Sequence, residues 1–343
     1  MILGGTGSLG SALLNRIVAG DQGFPSRIVI FSRDEGKQHD LRTVYATARR
    51  RPDNLGAQVA ARSLEFRIGD IRDSSSVLAA LRDIDIVFNV AAMKQVPACE
   101  YFPFEAVATN VMGAENIVRA IRDHRLPVET VVGISTDKAV SPVNVLGMTK
   151  AIQERIFARA GLDVPSTRFI TIRYGNVLAS RGSVIPTFDE QIKEGGPVTI
   201  THRDMTRFLL TIEDAIDTVV DALAEARTSE TYVPRLRGAR ISDVVTALID
   251  GRRIETEVSG PRPGEKLHEV LISVDELHRT FQRGAYYVIA PMLPELGRHA
   301  QTGPGLDCPI TSDGDIMSLD DVCALLRRAG LLVRSRPVLR VER

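Results

Sequence analysis

The chain has 343 residues, 44% of them hydrophobic, enough for a sizeable core in one large domain or two closely joined ones. Lys plus Arg and Asp plus Glu each number 43, so no global field draws the protein to nucleic acid or a membrane surface, and an anionic ligand must be met locally. No apolar run reaches the ~18 to 20 residues that span a bilayer, and Met1 leads into a strand without a signal-like segment, so a cytoplasmic location is expected. Cys99, Cys308 and Cys323 are odd in number and lack Cys-x-x-Cys spacing, which argues against a disulfide framework or any zinc or other metal site and predicts ordinary buried thiols.

Met1-Ile2-Leu3 reads as a short first strand, since strands usually run ~5 to 6 residues, and suggests a lost or misassigned N-terminal segment. Gly4, Gly7 and Gly10 then form Gly-x-x-Gly-x-x-Gly before a helix marked by Leu9, Leu13 and Ile17. Small residues there let backbone N–H groups approach a pyrophosphate at the helix's positive end, so this loop, with Thr6, Ser8 and Leu9, is the expected dinucleotide cradle. A second strand over 27–31 leads to Ser32-Arg33-Asp34. An NAD binder places a carboxylate at this tip to hold the adenosine ribose. Ser32 and Arg33 stand there instead and suit a 2′-phosphate, with Lys37 a second cation, so NADP is expected ahead of NAD. The alternative is that Arg33 is a solvated helix-start residue.

Further strands read at 64–68, 85–92, 130–135 and 169–174, their near-continuous hydrophobicity fitting burial on both faces. Ala114, Ile117, Val118 and Ile121 recur at helical spacing between them. The alternation predicts an α/β fold, a Rossmann-like doubly wound parallel sheet with right-handed connections. Beyond Tyr174, Gly and Pro become frequent, at Gly182, Gly195-Gly196-Pro197 and Gly260-Pro261-Arg262-Pro263-Gly264, predicting a smaller C-terminal substrate-binding region. The expected division is an NADP-binding domain over 1–177, to which a segment near 204–228 returns, a mainly substrate-binding region over 178–291, and an extension over 292–343. In the extension a helical pattern returns at 319–326, and Arg334, Arg336, Arg340 and Arg343 dot a solvated tail or a partner-binding one.

The chemistry concentrates in residues 134–150, Ile-Ser-Thr-Asp-Lys-Ala-Val-Ser-Pro-Val-Asn-Val-Leu-Gly-Met-Thr-Lys. Thr136, Asp137 and Lys138 follow a strand's carboxyl end, where parallel sheets bind ligands. Leu146 and Lys150 are four apart and share one face of a helix beginning near Val143. By themselves Asp137 and Lys138 equally suit a helix cap or a surface ion pair.

The segment resembles the Ser/Thr plus Tyr-x-x-x-Lys apparatus of extended short-chain dehydrogenase/reductases, in the Ser-Thr-Asp-Lys-Ala form of the UDP-N-acetylglucosamine 4,6-dehydratases of capsule and flagellin glycan synthesis. Four later runs match that family in order: Arg173-Tyr174-Gly175-Asn176-Val177-Leu178, Gly182-Ser183-Val184-Ile185-Pro186, Met205-Thr206-Arg207-Phe208, and Arg262-Pro263-Gly264-Glu265-Lys266-Leu267-His268-Glu269. The resemblance covers roughly residues 1–290. It departs from the family at Leu146, which replaces the Tyr, and at Leu3, where Thr is frequent.

The resemblance implies that Asp70 and Ile71 contact the adenine, that Ala91 and Ala92 flank the cofactor, that Asn110 braces the site and that Lys150 holds the nicotinamide ribose. Lys94, just past the fourth strand, could reach the cofactor or the sugar. Asn176, Val184, Arg207, Arg262 and Glu265 would meet the UDP-sugar, the two guanidinium forks suiting a diphosphate. The implied reaction oxidises C4 to a ketone, which acidifies the C5 proton; Asp137 is then the acid for the departing C6 hydroxyl and Lys138 the C5 base, with NADP a resident catalyst. dTDP-glucose dehydratases carry Glu where Lys138 stands. With Leu146 in place of Tyr, the C4 proton must go to Lys138, Lys150, a Thr136-linked water or bulk solvent, and desolvation would favour a neutral lysine. Leu146 and Met148 are expected to line the nicotinamide pocket. The expected function is thus an NADP-dependent UDP-hexosamine 4,6-dehydratase, a homo-oligomer. The alternatives are a UDP-sugar 4-epimerase, which would normally keep the Tyr, and a catalytically degenerate nucleotide-binding sensor or scaffold.

Overall fold

The computed structural model describes residues 1–20, 23–48, 63–178, 180, 183–297 and 305–332; Gly182, Arg334, Arg336, Arg340 and Arg343 lie outside the described residues. The strands in chain order are β1 (Ile2–Leu3), β2 (Ile28–Ser32), β3 (Leu64–Ile68), β4 (Ile86–Asn89), β5 (Thr130–Ile134), β6 (Arg168–Ile172), β7 (Asn176–Val177) and β8 (Val198–Ile200). They continue as β9 (Thr206–Leu210), β10 (Thr231–Pro234), β11 (Gly238–Arg240), β12 (Thr256–Val258), β13 (Val270–Ile272), β14 (Thr280–Arg283), β15 (Tyr286–Ile289) and β16 (Ile310–Thr311).

Nine of them form one sheet in the order β14-β15-β10-β6-β5-β4-β1-β2-β3. Pairing is parallel from β3 to β10 and antiparallel at β15 and β14. Six strands in the order 3-2-1-4-5-6 make this the doubly wound arrangement expected from the sequence. β5, Thr-Val-Val-Gly-Ile, is buried throughout because it lies mid-sheet. Gly133 in it has a packing reason: a Cβ there would meet the Phe157 ring at 2.3 Å, so glycine lets the Val145–Asp163 helix press onto the strand that ends at the site.

Leu13, Leu14, Ile216 and Val219 cover one face of the sheet against Ile30, Val132 and Ile170, while Val77, Leu81, Ile117 and Phe157 cover the other against Val29, Val87 and Val131. Each such side chain stabilises by about 1.5–3 kcal/mol when fully buried, so two apolar layers hold the sheet rigid beneath the site. Strand β3 departs from the expected two-faced burial, since it is the edge strand and leaves Glu65 and Ile68 exposed. β4 ends at Asn89, short of the expected 92, because the following residues turn out of the sheet to line a cavity.

β10, β14 and β15 arise within 231–289 yet extend the main sheet, so the chain between 178 and 291 is shared between the two regions. The smaller region packs the helices Val184–Lys193, Ile241–Ile249 and Leu319–Arg328 around one apolar cluster. Residues 305–332 are folded, and the helical pattern expected at 319–326 is the Leu319–Arg328 helix. There β16 pairs with β13, and Val322 and Leu326 are buried on a helix capped by Ser318 and Asp321. Of the thiols only Cys99 is buried; Cys308 is exposed and Cys323 is half-buried, because the extension that carries them lies over the surface. No helix among the described residues is long and apolar enough to cross a membrane.

Candidate active site

A cavity of about 670 Å³ opens beyond the carboxyl ends of β1, β2, β4 and β5, at the point where the sheet's connections diverge on either side of β1. Gly4 has φ +80°, and a Cβ on it would lie 2.7 Å from the Ala91 nitrogen; one on Gly10 would lie 2.7 Å from the Gly4 carbonyl oxygen. Both glycines let the loop fold tightly under the cavity, which Gly4, Thr6, Gly7, Ser8 and Leu9 line while Gly10 stays beneath. The Ser8–Ala19 helix starts from Gly7 with no acid in its first turn, leaving its positive end open to an anion. These residues fit the pyrophosphate of a dinucleotide.

Ser32, Arg33, Lys37, Asp70, Ile71, Ala91, Ala92 and Lys94 also line the cavity. Arg33 lies 3.6 Å from Asp70, which holds Arg72 at 2.7 Å, and Lys37 pairs with Asp34. Asn110 is apart from the cavity. Its amide accepts the Met93 N–H at 2.9 Å and donates to the Met93 carbonyl and the Thr149 hydroxyl, each at 3.0 Å, tying the segment after β4 to the Val145–Asp163 helix.

At the end of β5, Thr136, Lys138, Leu146 and Lys150 reach the cavity wall, whereas Asp137 is fully buried behind it. The Thr136 hydroxyl donates to Asp137 Oδ1 at 2.9 Å, and Asp137 Oδ2 has no hydrogen-bond partner among the described residues. Lys138 Nζ donates to Asp137 Oδ1 at 2.9 Å and to Asn176 Oδ1 at 3.3 Å, and lies 3.3 Å from Glu269 Oε1. Burial would lower the Lys138 pKa, but Asp137 and Glu269 outweigh it and raise it above the ordinary value. Of the two amines considered for the C4 proton, Lys138 is the one whose surroundings favour the charged form. Lys150 is the amine that burial lowers, to about 8; it donates to the Ile134 carbonyl and to Gln153 Oε1, both at 2.9 Å.

The helix that carries Leu146 begins at Val145 rather than Val143, because the Asn144 side chain caps it by accepting the Gly147 N–H at 2.8 Å. Leu146 packs with Cys99, Ala106 and Met93. Met148, two positions on, points off that face and is 47% exposed, so it does not line the pocket as expected. Tyr174 reaches the cavity, and burial pushes its phenol far above the ordinary value.

Asn176, Val184, Arg207, Arg262 and Glu265 line the opposite wall. Arg207 is buried and donates to the carbonyls of Thr206, Lys266 and Leu267 at 2.7, 2.9 and 3.1 Å, so it anchors the 262–269 loop, while Arg262 is exposed at the mouth.

Two residues at the site escaped the sequence reading. Glu269 lines the cavity at 2% exposure; burial, reinforced by Asp137, raises its pKa, and its Oε2, itself buried, has no hydrogen-bond partner among the described residues. Its sequence signal was only its place in the run ending His268-Glu269. Ser312, from the C-terminal extension, accepts the Glu269 N–H at 2.9 Å through Oγ and donates its own N–H to the Glu269 carbonyl at 2.9 Å. No spacing rule links residues so far apart in sequence.

The polysaccharide biosynthesis protein family matches residues 1–291. The chain belongs to that family. It is 42% identical over 294 residues to the UDP-glucose 4-epimerase of Rickettsia canadensis, covering 84% of this chain and 82% of the relative. The X-ray structure of Pen from Bacillus thuringiensis superposes with a TM-score of 0.85 at 32% identity over 96% of this chain and 97% of that one. DesIV, a dTDP-glucose 4,6-dehydratase from Streptomyces venezuelae, shares the fold at 19% identity, with a TM-score of 0.66 over 95% and 96% of the two chains. This member of the polysaccharide biosynthesis family is thus an enzyme of the nucleotide-sugar epimerase/dehydratase kind.

Proposed function

We propose that the protein is an NADP-dependent 4,6-dehydratase of UDP-N-acetylglucosamine or a related UDP-hexosamine, giving a 4-keto-6-deoxy sugar. The observation that carries this reading is the ammonium of Lys138 held at the cavity wall between Asp137 and Glu269. Exchange of a C4 hydrogen alone has no use for such a cluster, whereas eliminating water across C5 and C6 requires both an acid and a base. A bound nicotinamide dinucleotide would supply the oxidation at C4 and the reduction at C6. The glycine loop would hold its pyrophosphate, Arg33 and Lys37 its 2′-phosphate, and Lys150 its nicotinamide ribose. Asp137 would act as the acid through the two groups it touches, the Thr136 hydroxyl and Lys138 Nζ. Arg262 and Asn176 would meet the UDP-sugar. A homo-oligomer is part of the proposal, supported by the exposed aromatic run Tyr101, Phe102 and Phe104.

The second reading, a UDP-sugar 4-epimerase, is favoured by the name of the Rickettsia relative. An NMR time course with UDP-N-acetylglucosamine in deuterated water separates them. A dehydratase yields a 4-keto-6-deoxy product with deuterium at C5; an epimerase yields the C4 epimer with C5 unlabelled; neither change leaves a nucleotide-binding protein without catalysis.

A further inference from the structure

We infer that Gln38 is a specificity-determining residue: it sets the Ser32 hydroxyl, at the tip of β2, as a hydrogen-bond donor toward the 2′-phosphate of the cofactor. The inference rests on the NADP reading. Gln38 sits in the first turn of the Glu35–Ala48 helix at 3% exposure and is not among the residues that line the cavity. Its Nε2 donates to the Ser32 carbonyl at 3.0 Å, to Ser32 Oγ at 3.2 Å and to the Arg67 carbonyl at 2.9 Å. Two of these three acceptors are carbonyls, which cannot donate, so the amide must turn its nitrogen to them. Ser32 Oγ, beside them, therefore receives a hydrogen from Gln38 and cannot give its own in return.

Ser32 is half-buried and lines the cavity, and its hydroxyl donates to no group among the described residues. Its carbonyl is occupied twice, by Gln38 and by the Gly69 N–H at 3.1 Å. The hydroxyl hydrogen is thus left for a ligand, and an acceptor-rich anion such as a phosphate suits it. A carboxylate at this tip would instead accept from a ribose 2′-hydroxyl, so a hydroxyl set as a donor presents the opposite polarity. The cations nearby do not fix direction in this way. Arg33 and Lys37 are exposed, and each has a carboxylate of its own, Asp70 at 3.6 Å for Arg33 and Asp34 for Lys37. Ser32 is short, and the same amide that orients it ties the tips of β2 and β3 together, so its hydroxyl stands in one place.

The test is calorimetric titration of the full chain with two probes that differ only in the 2′-phosphate, adenosine 2′,5′-bisphosphate and adenosine 5′-monophosphate. Wild type should bind the bisphosphate more tightly. Gln38→Met, similar in length but without a donor, should narrow that gap about tenfold, which corresponds to about 1.4 kcal/mol, with affinity for the monophosphate unchanged. Ser32→Ala leaves both carbonyl bonds of Gln38 in place and should narrow the gap to the same extent. Adding Gln38→Met to Ser32→Ala should then narrow it no further, because the amide acts through the hydroxyl. An equal loss for both probes in Gln38→Met, or additive effects in the double variant, makes Gln38 a brace of the strand tips only and overturns the inference. An unchanged gap in Ser32→Ala also overturns it, even where Gln38→Met fails to fold. In each of these cases the NADP reading stands while wild type keeps its gap; equal affinity of wild type for the two probes overturns both together.

Discussion

Leu146 and Lys150 stand four residues apart on one face of the Val145–Asp163 helix, and both reach the cavity wall. An apolar side chain thus occupies the spot from which a phenol would face the substrate, beside an amine that burial has already lowered to about 8. Leu146→Tyr should keep dehydratase activity and raise the rate of C4 oxidation, because the new hydroxyl would lie near Lys150. The larger ring must fit among Cys99, Ala106 and Met93, and overpacking of this kind costs about 1–3 kcal/mol. Product formation by NMR and a melting curve check both halves. An inactive but folded variant would mean that the C4 proton leaves by a route that needs the leucine's shape.

Lys150 also sets a pH limit. Its pKa in the folded protein is about 8 against an ordinary 10.5, so folding disfavours the charged form. That cost to stability is fully present below about 8 and is relieved as pH rises toward 10.5. Cofactor binding has the opposite sense, because the ammonium that would hold the nicotinamide ribose is lost on the same rise. Affinity for NADP should fall as pH passes about 8 in wild type and stay flat in Lys150→Met. Calorimetric titration on either side of that value decides the point.

Arg33 has a 61% exposed side chain at the cavity mouth, 3.6 Å from Asp70. Arg33→Ala should erode the preference for NADP over NAD by about tenfold or more, where each tenfold corresponds to about 1.4 kcal/mol. Parallel titrations with both cofactors measure the ratio. An unchanged ratio leaves Arg33 as a partner of Asp70 only.

The doubly wound parallel sheet, the glycine loop at its first strand and the placing of Lys138 and Lys150 at one cavity wall were legible, because parallel strands and glycine loops impose local patterns: apolar runs, small residues at fixed spacing, hydroxyls and amines at strand ends. Glu269 and Ser312 were not. Their meeting depends on β16 pairing with β13 across about forty residues, and nothing local in Pro-Ile-Thr-Ser announces a strand that will clasp the site. The upward push on the Lys138 pKa escaped for a related reason, since its second carboxylate arrives from that same distant loop.

The strand end is braced from below by a buried ion network. Ser135 donates to Glu154 Oε1 at 2.5 Å, and Arg173 grips Glu154 and Glu276, the shortest contacts being 2.7 and 2.9 Å. Burial would raise the Glu276 pKa, but Arg173 overrides it and lowers it to about 2. Because the folded value lies below the ordinary 4.5, the pair's stabilisation is complete above about 4.5 and is lost as pH falls toward 2. Glu276→Gln should destabilise by about 1–3 kcal/mol, since it removes one of the two carboxylates that compensate a buried guanidinium while Glu154 remains. The variant should also flatten the acid limb of stability, which chemical denaturation at several pH values would show.

Ser312 carries the last prediction. It is fully buried, and its hydroxyl meets the Glu269 N–H at 2.9 Å and the Thr206 hydroxyl at 2.6 Å, while Thr206 in turn reaches His268 Nδ1 at 2.8 Å. Ser312→Ala removes this hub but leaves the backbone bond from Ser312 to the Glu269 carbonyl, so β13 and β16 should stay paired. The stranded Glu269 N–H costs about 1–3 kcal/mol, enough to loosen the carboxylate without unfolding the region. The expected result is a kcat lowered by about tenfold or more, with KM for the UDP-sugar little changed, because the groups that meet the nucleotide are untouched. A rate and melting temperature equal to wild type would show that the C-terminal extension merely covers the site instead of holding it in register.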